Sequence, residues 1–538
     1  MSRGSLLAAG MFLSVCGLTR ASDPAPPAGF WKLTLPSKDE DIILMLAFTE
    51  QDGKWVGDYL TSNAKLNVEP TFKYLKINGD VVQFLIQAKG QDLVTFDGIL
   101  AKDKKKISGS FTLQGSPLML TELYPTKLKK LDDPVEVARE SLNQVDGREF
   151  FQVAMTVINK AAEKKIPADE VRSILDRVNK TSTQYGPRWE REMTLRFASL
   201  LAAQTDYADL AVAQAKRAER LLTDDDDASA RLAVLESVTQ ALTKAGKPNE
   251  AKPYYSQIAK LETRDYAEYA KSFPFKTEPY AGRKAKSDRI MLVEVFTGAE
   301  CPPCVAVDLA FDGLMKTYKP TEVVLLQYHL PIPAPDPLTN ADVIKRVEGY
   351  YAEQVDGAPT TFIGGKLGAP GGGSSAAAQK KYAGFRKVID EELEKPALVK
   401  LGLTVSKGEK GGFSAKATIS DLEAPGEKVM LRFALAEERV RYAGGNGIRY
   451  HHMVVRAMPG GIKGFPLTKK ASDQTVTFNP DELRTTLSKF LDDFATQEGP
   501  FPRADRPLAL KNLKLVAFVQ NDATKEVLQA VQVDVEEK

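Results

Sequence analysis

The chain has 538 residues, 43% hydrophobic, 27% charged and 8% aromatic, an ordinary folded composition that excludes collagen-like, low-complexity and wholly disordered classes. At about 100 to 200 residues per domain, this length predicts three to five domains rather than one enlarged core. Lys plus Arg number 73 against 71 Asp plus Glu, and a leader holding Arg3 and Arg20 but no acid leaves 71 against 71, a balance that argues against nucleic acid as partner.

Three cysteines exclude a disulfide-built scaffold, and three histidines leave little room for a multi-histidine metal centre. Residues 1–21 read as a secretory signal, with Arg3 in the n-region, an apolar Leu6 to Leu18, and a cleavage site at Thr19-Arg20-Ala21. That apolar stretch is short of the ~20 residues a membrane span needs, and no later segment reaches it. Acylation at Cys16 is the alternative, disfavoured by Val15 where lipoprotein signals carry a small residue. With the leader gone, Cys301 and Cys304 are each other's only intramolecular partner.

After a Pro- and Ala-rich spacer, residues 29–125 alternate apolar and polar positions between turns such as Asp52-Gly53 and Asn78-Gly79-Asp80. This predicts a small all-β meander or barrel-like domain, with strands at Val81 to Ile86 and Lys106 to Phe111 and with Trp55, Phe84 and Phe96 as core. Residues 132–275 turn to helical spacing, with starts at Asp133-Pro134 and at Pro167 to Glu170. Ala245 to Ala251 is similar to the turn of a tetratricopeptide-type helical hairpin, so this segment is expected to be a docking surface for protein or a helical spacer. Residues 276–289 form a basic, turn-rich linker. From 397 to 538, runs such as Val399 to Val405, Val429 to Leu435, Leu513 to Val519 and Val527 to Val535 predict a β-sandwich, interrupted by a helix around Pro480 to Phe494. The class is multidomain α+β.

Between them, residues 288–396 carry the chemistry. A buried-type strand, Arg289 to Phe296, leads through Thr297-Gly298-Ala299-Glu300 into Cys301-Pro302-Pro303-Cys304 and the helical run Val305 to Tyr318. A helix N-terminus favours a thiolate, which makes Cys301 the attacking sulfur, and the two-residue spacing lets Cys304 close the disulfide. Pro302 and Pro303 are tolerated in a first turn, although they remove N–H groups that could stabilise the thiolate. A second strand, Glu322 to His329, is parallel to the first by its crossover, so His329 ends on the same carboxyl edge as Cys301. Gly357 to Lys366 reads as a proline, a strand and a Gly-Gly turn, and Tyr382 to Glu394 as a closing helix.

These residues resemble a thioredoxin-fold domain, and Val293 to Gly298, Tyr328-His329 and the C-terminal β-region are similar to secreted bacterial proteins of the Omp28-related family, over roughly residues 288–535. The resemblance implies a nucleophilic Cys301, a resolving Cys304, and Pro359 as the cis-proline facing the disulfide. It departs from the pattern at Val295, where thioredoxins place a buried aspartate; Glu294 or His329 is then expected to serve proton transfer. Glu300, directly before Cys301, would raise the thiol pKa.

The expectation is a secreted or periplasmic thiol–disulfide oxidoreductase acting on protein thiols and disulfides with an unidentified redox partner and no cofactor. Two alternatives stay open: an envelope binding protein with a structural disulfide, and a copper(I) site formed by Cys301, Cys304 and His329. Adjacent His451 and His452 would point to opposite faces of a strand as structural residues. Gly371 to Ser375 lacks the Gly-Lys-Ser/Thr and the flanking strand and helix of a phosphate-binding loop.

Overall fold

The computed structural model describes residues 27–35, 42–64, 69–113, 116–408, 411–499, 501–503 and 506–535; the leader and Cys16 lie outside them. By internal contacts the chain divides into two units, one running to Thr223 and including Glu236–Ala251, the other made of Asp224–Leu235 and Lys252 onward. No helix among the described residues is long and apolar enough to cross a membrane.

The first unit opens with β1 (Gly29–Leu35), β2 (Ile42–Gln51), β3 (Lys54–Ser62), β4 (Thr71–Asn78), β5 (Val81–Ala88), β6 (Gln91–Leu100), β7 (Ile107–Leu113) and β8 (Met119–Pro125). They form one antiparallel sheet in the order β3-β2-β1-β8-β7-β6-β5-β4, curled so that β3 and β4 come side by side in a nearly closed barrel. Trp31, Phe48, Phe72, Phe84 and Phe96 form a column of ring contacts inside it, the tightest between Phe84 and Phe96 at 4.6 Å. Burying each such ring contributes about 1.5–3 kcal/mol, so the aromatics are core; Trp55 is half-buried at its edge.

Helices follow: α1 (Pro134–Ser141), α2 (Gly147–Asn159), α3 (Ala168–Ser182), α4 (Pro187–Ala202), α5 (Ala208–Arg220), α6 (Ala228–Lys244) and α7 (Pro248–Lys271). The start at Asp133-Pro134 is a capped one, the Asp133 carboxylate accepting from the N–H groups of Val135 and Glu136. The division between the two units falls within α6 and α7 rather than in the linker 276–289.

The second unit contains β9 (Met291–Thr297), α8 (Val305–Thr317), β10 (Val323–His329), α9 (Ala341–Tyr350), β11 (Thr360–Ile363), β12 (Lys366–Leu367) and α10 (Ala378–Leu393). Then come β13 (Lys400–Lys407), β14 (Phe413–Ser420), β15 (Gly426–Arg441), β16 (Tyr450–Ala457), β17 (Phe465–Leu467), β18 (Ser472–Phe478), α11 (Pro480–Gln497), β19 (Leu513–Asn521) and β20 (Val527–Asp534). β9 and β10 are parallel in a register that sets Thr297 beside His329, and β11 runs antiparallel to β9. The sheet does not stop at β10. It continues in the order β12-β11-β9-β10-β16-β15-β19-β20, joined by a parallel contact of Gln327 with Val454.

This corrects the expected self-contained β-sandwich after residue 396. Two layers do face each other there, but one is the end of the sheet that starts at β12, and only β13-β14-β18 forms a separate sheet. The reason lies in two-sided burial. Leu431, Phe433, Leu435, Leu515, Ala517 and Val519 fill the core beneath β13 and β14, while the alternate residues Ala434, Ala436, Val516 and Phe518 fill the core shared with β9, β10 and α8.

Candidate functional site

β9 ends at Thr297, and five residues later the chain enters a 3-10 turn, Pro302–Cys304, that leads into α8. The Cys304 N–H donates to the Cys301 carbonyl at 3.1 Å, and the two side chains are joined as a disulfide. Pro302 and Pro303 are exposed, whereas Cys301 and Cys304 are both buried, at 2% and 0% exposure. The Ala358–Pro359 peptide is cis, and the Cys301 Sγ lies 3.7 Å from the Ala358 carbonyl oxygen at the head of β11. The Ala358–Pro359 peptide thus lies beside the disulfide. Gly371–Gly373 lies against the same turn: the Gly373 N–H donates to the Pro303 carbonyl at 2.7 Å, and a Cβ at Gly372 would sit 2.0 Å from that oxygen. The glycines that fit no phosphate loop serve this close backbone approach.

Glu294 does not reach the dithiol. Its carboxylate accepts from Arg346 Nη2 at 2.8 Å, Arg346 Nε at 3.2 Å and the Tyr351 hydroxyl at 2.9 Å, all from the α9 side. Strand alternation puts Glu294 on the face opposite Thr297, and the Thr297 face is the one that α8 covers, which removes Glu294 from proton transfer at the cysteines.

The acid on the α8 face is Asp308. Four residues beyond Cys304, it lies one turn along the same side of α8 and is buried. Gln327 Nε2 donates to its Oδ1 at 3.3 Å, and the Thr297 hydroxyl lies beside the carboxyl and partly opposes the effect of burial. Burial, reinforced by the Asp312 and Asp336 carboxylates, pushes the Asp308 carboxyl well above the usual range. Reading the sequence for an acid only ahead of the cysteines missed it; the i, i+4 spacing from Cys304 was the available signal.

His329 lies beside Thr297 on the expected edge, fully buried. Its Nδ1–H donates to Asp336 Oδ2 at 2.9 Å, and Asp336 also accepts from the N–H groups of Ala299 at 2.7 Å and Leu338 at 2.8 Å. Burial alone would push Asp336 up, but the His329 ring and these donors outweigh it and hold the carboxyl below its usual range. The His329 ring meets His451 edge to face at 4.7 Å. Burial and His329 push His451 down to about 3, and its Nε2–H donates to the Tyr442 carbonyl at 3.0 Å. His452 turns the other way, to Asp312 on α8 at 2.7 Å and to the Tyr266 hydroxyl at 3.2 Å. Sequence reading missed that His451 comes to lie against His329.

The copper alternative is not assembled: the sulfurs of Cys301 and Cys304 are bonded to each other, and no group of three His, Cys, Asp or Glu side chains among the described residues is arranged to hold a metal ion. The residues ahead of Cys301 are instead tied to the loop between β15 and β16. Glu300 accepts from the Tyr442 hydroxyl at 3.1 Å and the Gly445 N–H at 2.8 Å. Asn446 donates from its backbone to the Ala299 carbonyl at 3.0 Å and from Nδ2 to that of Gly298 at 3.1 Å. A groove of about 810 Å³ in the first unit, bordered by Asp97, Ser108, Leu120 and Tyr124, brings no comparable chemistry.

No family model matches the chain. No curated protein matches it either. Among solved structures, HBP35 of Porphyromonas gingivalis is similar at 17% identity, covering 47% of this chain and 80% of its own, with a TM-score of 0.32. A domain of the outer membrane lipoprotein Omp28 from Porphyromonas gingivalis is similar at 19% identity, covering 26% of this chain and 89% of its own, with a TM-score of 0.17.

Proposed function

We propose that residues 288–396 are a thioredoxin-like domain and that the protein is a secreted or periplasmic thiol–disulfide oxidoreductase for protein substrates. The observation that carries this reading is a disulfide at a strand-to-helix junction, with the Ala358–Pro359 carbonyl 3.7 Å from its Cys301 sulfur. The strand order β12-β11-β9-β10, with β10 parallel and β11 antiparallel to β9, supports the fold assignment.

In the oxidised state described here, a substrate thiolate attacks Cys301 Sγ, the Cys301–Cys304 bond breaks, and its electron pair leaves on Cys304. Asp308, whose carboxyl burial pushes well above its usual range, is the acid we assign to give that sulfur its proton. A second substrate thiolate then attacks the substrate sulfur of the mixed disulfide and expels Cys301, so the substrate is oxidised by two electrons and the protein reduced by two. The reverse sequence reduces a substrate disulfide, with Cys301 attacking and Cys304 resolving.

A second reading, a binding protein with a structural disulfide, draws on the low exposure of both cysteines. The reduction potential separates the two. A value between about −270 and −120 mV, with mixed disulfides trapped on Cys301 in Cys304→Ser, supports exchange. A value below about −300 mV with nothing trapped sinks it in favour of a structural bridge.

A further inference from the structure

We infer that Tyr442, from the loop between β15 and β16, is a positioning residue for Cys301: it holds the neighbouring Glu300 carboxylate away from the sulfur and so keeps the reduced thiol reactive. The inference rests on reading Cys301 as the attacking thiol.

Glu300 is adjacent to Cys301 in sequence, and an unrestrained carboxylate there opposes formation of a thiolate. In the structure it is not unrestrained. Both its oxygens are engaged, Oε1 by the Tyr442 hydroxyl and Oε2 by the Gly445 N–H. Tyr442 is itself fixed, its ring packed with Ala299, Leu338, Val440 and Val454 and its carbonyl accepting from His451. The loop approaches so closely that a Cβ at Gly444 would sit 2.3 Å from the Ala299 carbonyl oxygen, which only glycine permits. Asn446 and Asp336 hold the backbone of Gly298 and Ala299 from two sides. Strands far along the chain from the cysteines therefore set the direction in which the Glu300 charge points.

The test is the pH dependence of iodoacetamide alkylation at Cys301 in the reduced full-length protein, mapped by mass spectrometry. Tyr442→Phe keeps the packed ring and loses only the hydroxyl. The midpoint is expected to rise by about half to one pH unit, a roughly three- to ten-fold slower reaction below it. In a Glu300→Gln background the same change is expected to do nothing, because no charge is left to release. An unmoved midpoint, or a shift that persists in Glu300→Gln, overturns the inference. If Tyr442→Phe does not fold, Glu300→Asp takes its place: the shorter carboxylate keeps its charge but loses reach to the loop, and a midpoint that fails to rise overturns the inference equally. The exchange reading fails separately, through an absence of trapped mixed disulfides in Cys304→Ser, which leaves the alkylation midpoints readable.

Discussion

The two faces of β9 each bury a carboxylate, and the two are treated in opposite ways. On the α9 face, Glu294 is met by the Arg346 guanidinium and the Tyr351 hydroxyl, and Arg346 in turn donates to Gln520. On the α8 face, Asp308 has the Gln327 amide and the Thr297 hydroxyl beside it, and carboxylates rather than cations as its charged neighbours. One buried acid is met by a cation and tied into the fold; the other has no cation beside it, and burial pushes its carboxyl well above the usual range. Proximity in sequence to the cysteines predicted neither role. The face did.

The largest expected effect comes from breaking the paired side. Arg346→Met leaves Glu294 buried without its cation, and should destabilise the protein by about 3–5 kcal/mol in urea unfolding, with much of the loss recovered in Arg346→Met/Glu294→Gln. A loss under about 1 kcal/mol would erase the contrast between the two faces.

On the unpaired side, Asp308→Asn should slow disulfide exchange by about 10²-fold, the usual scale for losing a positioned acid, while the fold survives. It should also change the pH profile of stability. The folded-state pKa of Asp308 is raised, so above about pH 4 the unfolded chain releases a proton that the native state keeps, and stability falls as pH rises toward the folded value. Denaturant midpoints taken from pH 4 to 8 should show that decline in the wild type and a shallower one in Asp308→Asn.

A smaller effect sharpens the picture at His451. Its folded pKa is depressed to about 3, so below about pH 6.5 the unfolded chain takes a proton that the native state refuses, and stability falls as pH falls toward 3. At pH 5 this amounts to about 2 kcal/mol. His451→Gln, which keeps a donor for the Tyr442 carbonyl, should flatten that acid limb; equal slopes in the two proteins would place the loss on other groups.

Much of this architecture was legible in the chain. The alternation from Val81 to Ile86 is β5, the acid-capped start at Asp133-Pro134 is α1, and Cys301-Pro302-Pro303-Cys304 between a strand and a helix located the dithiol. Partners from distant segments were not legible, because nothing local ties Glu300 to Tyr442 or His329 to His451. Glu294 was misassigned since distance along a strand says nothing of which layer a residue faces until the crossover helix is placed. The runs Val429 to Leu435 and Leu513 to Val519 carried an unread clue: apolar residues in succession rather than in alternation mark a strand covered on both sides.

The parallel contact between β10 and β16 bears on how this chain can be cut. Were residues 288–396 expressed alone, β10 would become a free edge of unpaired amides and carbonyls beside Tyr328 and Leu326, side chains that the full chain keeps covered. Such an edge invites self-association. Residues 288–396 are therefore not a portable module, and a fragment that keeps its solubility has to carry β15, β16, β19 and β20 with it.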